Sequence, residues 1–178
     1  MTTPLTARQR LSELHRYAAV SGEDFTHQNL ASTRTNQLRF ARCSFAGADL
    51  RYATLEGCWF KFCDFTGADL RGASLRGAVL AGCNLRDADL RDTDLTGARL
   101  STVNTGIPRL GPTDITGARF EGTSLRNVHA EDVIGWPPGA GAERVGPPAP
   151  STSEIKLNTG PLGDADSRLL GVAVSGHI

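Results

Sequence analysis

Bulky apolar residues return every five positions along the middle of this chain. Stepping by five from Phe25 to Leu125, Leu, Phe or Ile fills 19 of 21 positions, and only Thr35 and Thr105 break the series. Two places earlier in each unit, from Glu23 to Thr123, 17 of 21 residues are Ala, Cys, Thr or Val; Glu23, Gln28, Leu38 and Pro108 depart. A period of five matches neither the 3.6-residue helix nor the two-residue strand. It describes a chain that turns a corner once per unit.

The clearest units read Ala48-Asp-Leu-Arg-Tyr, Ala68-Asp-Leu-Arg-Gly, Ala73-Ser-Leu-Arg-Gly and Ala88-Asp-Leu-Arg-Asp. From residue 23 to about 127 the chain resembles the pentapeptide-repeat family, whose units read A(D/N)LXX. The resemblance implies an all-β, right-handed quadrilateral β-helix with four units per coil. The central Leu or Phe and the small residue two before it would point inward, and the other three outward. A square coil has little interior room, so each large side chain needs a small neighbour. The Gly closing many units (Gly47, Gly57, Gly67, Gly72, Gly77, Gly82) suits a tight corner. Twenty-one units make about five coils, roughly 25 Å of stacked strands. Each coil pairs only with its neighbours, so both ends need covering.

Cys43, Cys58, Cys63 and Cys83 all fall on the small inward position, and Cys43, Cys63 and Cys83 are spaced to stack on one wall. They read as buried free thiols packed as small hydrophobes; a redox or metal ladder is the alternative. The segment Ser101 to Pro112 strains the pattern, with Pro108 and Thr105 out of character. Because Leu100 and Phe120 stay 20 apart, a locally irregular wall is expected there rather than an inserted loop.

Before the repeat, residues 6 to about 20 predict one helix, capped by Thr6 and bearing an apolar stripe of Leu11, Leu14, Tyr17 and Ala18. This N-terminal segment, 1–22, would lid the first coil of a solenoid spanning 23–130. Residues 135 to 150 hold nine Gly or Pro in 16, so 131–150 reads as a linker and 151–178 as a flexible or docked tail. The family's dimers use a C-terminal helix; this tail offers no good one, so a monomer or weak dimer is expected.

The 19 Lys and Arg balance 19 Asp and Glu, which gives no electrostatic reason to expect direct nucleic-acid binding. With no apolar leader and no apolar run long enough to span a membrane, a cytoplasmic protein with reduced cysteines is expected. His15, His27, His129 and His177 are scattered, and no nucleophile elbow, HExxH or Walker lysine is present. No enzyme activity, cofactor or metal is therefore expected.

Function is expected on the outer surface. Asp49, Asp69 and Asp89 should stack beside Arg51, Arg71 and Arg91 as a self-neutralising ladder. A second wall is expected to align Arg39, Trp59, Arg99 and Arg119, with Lys61 near and Arg42 extending it. An outward Trp among arginines has the composition of a protein-binding hot spot. The favoured function is thus a scaffold binding another protein. The resemblance supplies an alternative, a DNA-mimicking protector of the type II topoisomerase gyrase, as in quinolone resistance or self-resistance. Such a mimic needs one sign of charge, whereas residues 21 to 129 hold 12 acidic and 13 basic residues. The acids available to it are Asp87, Asp89, Asp92, Asp94 and Asp114. A third reading is a carrier solenoid whose tail a partner enzyme modifies or processes.

Overall fold

The computed structural model describes residues 5–35, 37–104 and 111–137. These belong to one compact unit spanning Met1–Pro147; the second unit, Pro148–Ile178, lies outside the described residues. So do the greater part of the expected linker and the whole of the expected tail.

Six short strands stack in chain order into one parallel sheet: β1 (Ala19–Ser21), β2 (Arg39–Ala41), β3 (Trp59–Lys61), β4 (Val79–Ala81), β5 (Arg99–Ser101) and β6 (His129–Ala130). Three further walls are held by single-residue parallel bridges. They run through Asp24, Ser44, Asp64, Asn84, Asp114 and Ile134; through Asn29, Asp49, Asp69, Asp89 and Arg119; and through Arg34, Thr54, Ser74, Asp94 and Ser124. The result is a four-sided parallel β-solenoid. Within each unit the residue before the bulky one bridges to the next coil, and the bulky one points inward.

The register changes once. Residues pair 20 apart from β1 to β5, but Arg99 pairs with His129 and Leu100 with Ala130, which is 30 apart. Asn84–Asp114, Asp89–Arg119 and Asp94–Ser124 show the same step of 30. Ten residues have therefore been inserted after β5, and the expectation of an irregular wall there is wrong. The insertion is two whole units long, so it preserves the five-residue phase while displacing all that follows by half a coil from where counting by twenties puts it. The Val103 N–H donates to the Gly111 carbonyl at 2.8 Å and closes the base of the excursion.

The interior is filled by side chains. Phe25, Phe45 and Phe65 stack at 5.0 and 4.8 Å between ring centroids, Phe40 stacks on Phe60 at 5.1 Å, and edge contacts link the two columns. Leucines continue the core toward the other end, Leu70, Leu75, Leu80 and Leu90 each being 1% exposed. The small inward positions hold Ala48, Ala68 and Ala88 and all four cysteines, buried as the pattern requires. Cys58 donates its S–H to the Thr35 carbonyl at 3.1 Å and Cys83 to the Phe60 carbonyl at 3.4 Å.

The N-terminal helix is shorter than expected. α1 covers Ala7–Ser12, with Thr6 and Gln9 forming a capping box. Ala7 and Leu11 are buried, while Leu14 and Tyr17 are exposed. Residues 19 to 21 join the sheet instead, because pairing with β2 satisfies their backbone and a short isolated helix is marginal. Tyr17 turns with φ 66°, and its N–H donates to the Gln37 carbonyl at 3.0 Å. The coil therefore begins at Ala19 rather than 23. It also runs past 130: Ile134 bridges Asp114, so residues 131–134, expected in the linker, belong to the last turn.

Candidate functional site

The β1–β6 wall presents two outward columns, since the middle residue of each strand points in. One column runs Ala19, Arg39, Trp59, Val79, Arg99, His129, and the other Ser21, Ala41, Lys61, Ala81, Ser101. Arg39, Trp59, Lys61 and Arg99 are thus brought together on one face, and Arg42 follows at the corner. Arg119 is not among them. The half-coil displacement places it against Asp89, with its guanidinium 3.6 Å from that carboxylate.

Trp59 is 57% exposed and Tyr17 61%. The Arg39 guanidinium lies 5.9 Å from each ring centroid. Lys61 reaches over the Phe62 ring at 5.7 Å. Tyr17 went unrecognised as part of this face because the sequence reading put it on a helix. Among the described residues Arg39, Arg42, Lys61 and Arg99 form no ion pair, and neither column carries a carboxylate from Ala19 to Ser101.

Elsewhere the arginines of the coil are largely engaged. On the ladder wall Arg51, Arg71 and Arg91 each donate two hydrogen bonds to the carboxylate two residues before, at 2.6 to 2.9 Å. Those bonds hold the Asp49, Asp69 and Asp89 carboxyls below the usual carboxylate range. Arg51 and Arg71 also reach the next coil's carboxylate, at 3.7 and 3.9 Å. Asp94 pairs with Arg76 at 2.9 Å and Asp114 with Arg86 at 3.0 Å. Of the five acids read for a DNA mimic, Asp89, Asp94 and Asp114 are therefore neutralised, each on a different wall. Asp87 and Asp92 sit at corners, each packed over a glycine of the following coil, Gly117 and Gly122.

Residues 24–61 and 63–101 match the pentapeptide-repeat family model in eight copies. These residues are pentapeptide repeats. Among solved structures, the chain is similar to the pentapeptide-repeat protein Rfr23 from the cyanobacterium Cyanothece 51142. The two are 19% identical, covering 66% of this chain and 83% of that one, with a TM-score of 0.46. A pentapeptide-repeat protein of the Arabidopsis thaliana thylakoid lumen is 29% identical over 64% of this chain and 68% of its own, with a TM-score of 0.41. QnrB1, a plasmid-mediated fluoroquinolone resistance protein, is 15% identical over 72% of this chain and 82% of its own, also with a TM-score of 0.41. Among curated protein sequences none matches the chain.

One cleft, of about 420 Å³, opens at the first coil between α1 and β1. Leu11, Leu14, Val20 and Phe25 line it, and Arg10 and Glu23 form a 3.9 Å ion pair among its lining residues. It holds neither a nucleophile–base pair nor a metal-ligand set.

Proposed function

We propose that this protein is a non-catalytic scaffold that binds another protein through its β1–β5 face. The observation that carries the reading is the contrast between walls. The ladder wall answers its own charges, while Arg39, Lys61 and Arg99 stand unanswered around an exposed Trp59. An amphipathic Trp flanked by arginines, set on a rigid sheet, provides large contact area with little ordering cost. Among the described residues the interior is filled by Phe and Leu side chains, which supports a role carried by the outer surface.

A gyrase-directed DNA mimic is less well supported, since three of the five acids it would use are paired with arginine and lie on different walls. Capture from an extract of the native cells tests the scaffold. The tagged full chain should retain a protein that the triple variant Arg39→Glu, Trp59→Ala, Arg99→Glu releases, while Arg51→Gln on the ladder wall keeps it. Retention by the triple variant would sink the reading. Protection of gyrase supercoiling against a quinolone, lost on changing Asp87 and Asp92 to Asn, would put the mimic in its place.

A further inference from the structure

Resting on that reading of the β1–β5 face, we propose that it takes an extended acidic segment of the partner, laid along the solenoid axis. Two carboxylates four residues apart would engage Arg39 and Arg99, with an apolar side chain between them on Trp59 and Val79. Charge is the first argument. The face carries Arg39, Arg42, Lys61 and Arg99, and no carboxylate lies in its outward columns over five strands, in a chain with no net charge. Desolvating four unpaired cations against an apolar or basic surface is costly, so the partner must bring the anions.

Geometry supplies the second argument. Arg39 has the exposed Tyr17 and Trp59 rings beside it, each centroid 5.9 Å from its guanidinium, and no ion pair among the described residues occupies the edge of that guanidinium. That edge is a planar fork of N–H donors suited to a carboxylate. Arg39 and Arg99 are three strands apart in one column, roughly 14 Å at the spacing of stacked strands. An extended chain advances about 3.3 Å per residue, and alternate side chains share a face, so residues n and n+4 span the same distance. The residue midway, n+2, then lies over Trp59 and Val79, the only uncharged bulk in the column between the two arginines. A single-stranded nucleic acid would answer the charge but needs open ring faces for its bases. Here the Trp59 and Tyr17 rings already have a guanidinium beside them.

The probe is the peptide Ser-Gly-Glu-Val-Leu-Val-Glu-Gly-Ser, titrated into the isotope-labelled full chain and followed by amide chemical shifts. Saturable shifts should concentrate at Arg39, Trp59, Lys61, Val79 and Arg99. Changing both glutamates to glutamine, or Arg39→Gln in the protein, should weaken binding roughly tenfold or more. Arg39→Lys keeps the charge but not the fork, and should also weaken it. No saturable binding, shifts on the Asp49–Asp89 wall, or equal binding of the glutamine peptide would overturn the proposal. Tighter binding of oligothymidylate on this same face would replace it with nucleic acid. Should the native partner be lost from the triple variant while the peptide fails to bind, the face stands and only its acidic chemistry falls.

Discussion

At the level of single residues, the corners separate strain from crowding. Gly72 and Gly77 both turn with positive φ, 65° and 61°. A Cβ there costs about 1–2 kcal/mol in backbone strain. At Gly77 the Cβ would meet nothing within 4 Å, whereas at Gly72 it would lie 2.6 Å from the Tyr52 ring of the coil before. Gly72→Ala should therefore lower stability more than Gly77→Ala in urea melts, and adding Tyr52→Ala should remove the difference. The thiols give a second test. The hydrogen bond with Cys63, and then burial, push the Cys43 thiol well above its ordinary value, and burial raises Cys58. At Cys63 the Cys43 thiol favours ionisation, but Cys83 and burial outweigh it and push the value up to about 12. None of these should react with a thiol reagent in the folded protein at pH 8, and all four cysteines should react in denaturant. Rapid labelling of Cys63 under native conditions would contradict the packing. These burials were legible from the sequence because five-residue phase alone dictates inside from outside. Tyr17 was not, because a short helical stripe and a strand entry look alike over so few residues. Val20 and Ala18 do keep the phase of the repeat, and that signal was available.

For the walls, what the sequence reveals ends where phase and register part. Arg39, Trp59, Lys61 and Arg99 could be aligned by counting twenties, since they precede the insertion. Arg119 could not, because ten extra residues leave every Leu in phase while moving it across the coil. Excising residues 102–111 and joining Ser101 to Pro112 restores a 20-residue turn with all later columns as they are. The excised chain should keep its β circular dichroism and a cooperative melt within several degrees of the parent, since loop length is thermodynamically cheap. Loss of cooperative folding would show that the insertion holds the register. The ladder wall predicts an acid response. Its aspartates have depressed values when folded, so their contribution is complete above about pH 4 and fades as pH falls through the folded values. These pairs are partly solvated, and each should contribute about 0.2–1 kcal/mol. Asp69→Asn should cost about that much by urea titration at pH 7 and less at pH 3 or in 1 M salt. An equal cost at both pH values would mean that the charge is irrelevant.

Over the whole solenoid, stability is a sum of neighbouring contacts, so damage should stay local. The first coil has no neighbour on one side and relies on α1, whose Ala7 and Leu11 are 8% and 5% exposed against the Phe25 end of the core. Among the described residues the far end has no such helix; the partly buried Trp136 packs against the core there, and Ile134 is exposed. Leu11→Asp puts a charge where apolar surface was covered and leaves Phe25 open to water. The cost should be at least the about 2–5 kcal/mol of a buried Leu truncation. If the coils were one cooperative block, that loss would speed hydrogen exchange everywhere alike. In a stack coupled only through neighbours, amides of 19 to 45 should exchange faster while those of 113 to 134 keep their protection. The face around Trp59 lies two strands in from the damaged end. Its exchange, read in the same experiment, measures how far an uncovered end reaches into the surface on which binding is proposed.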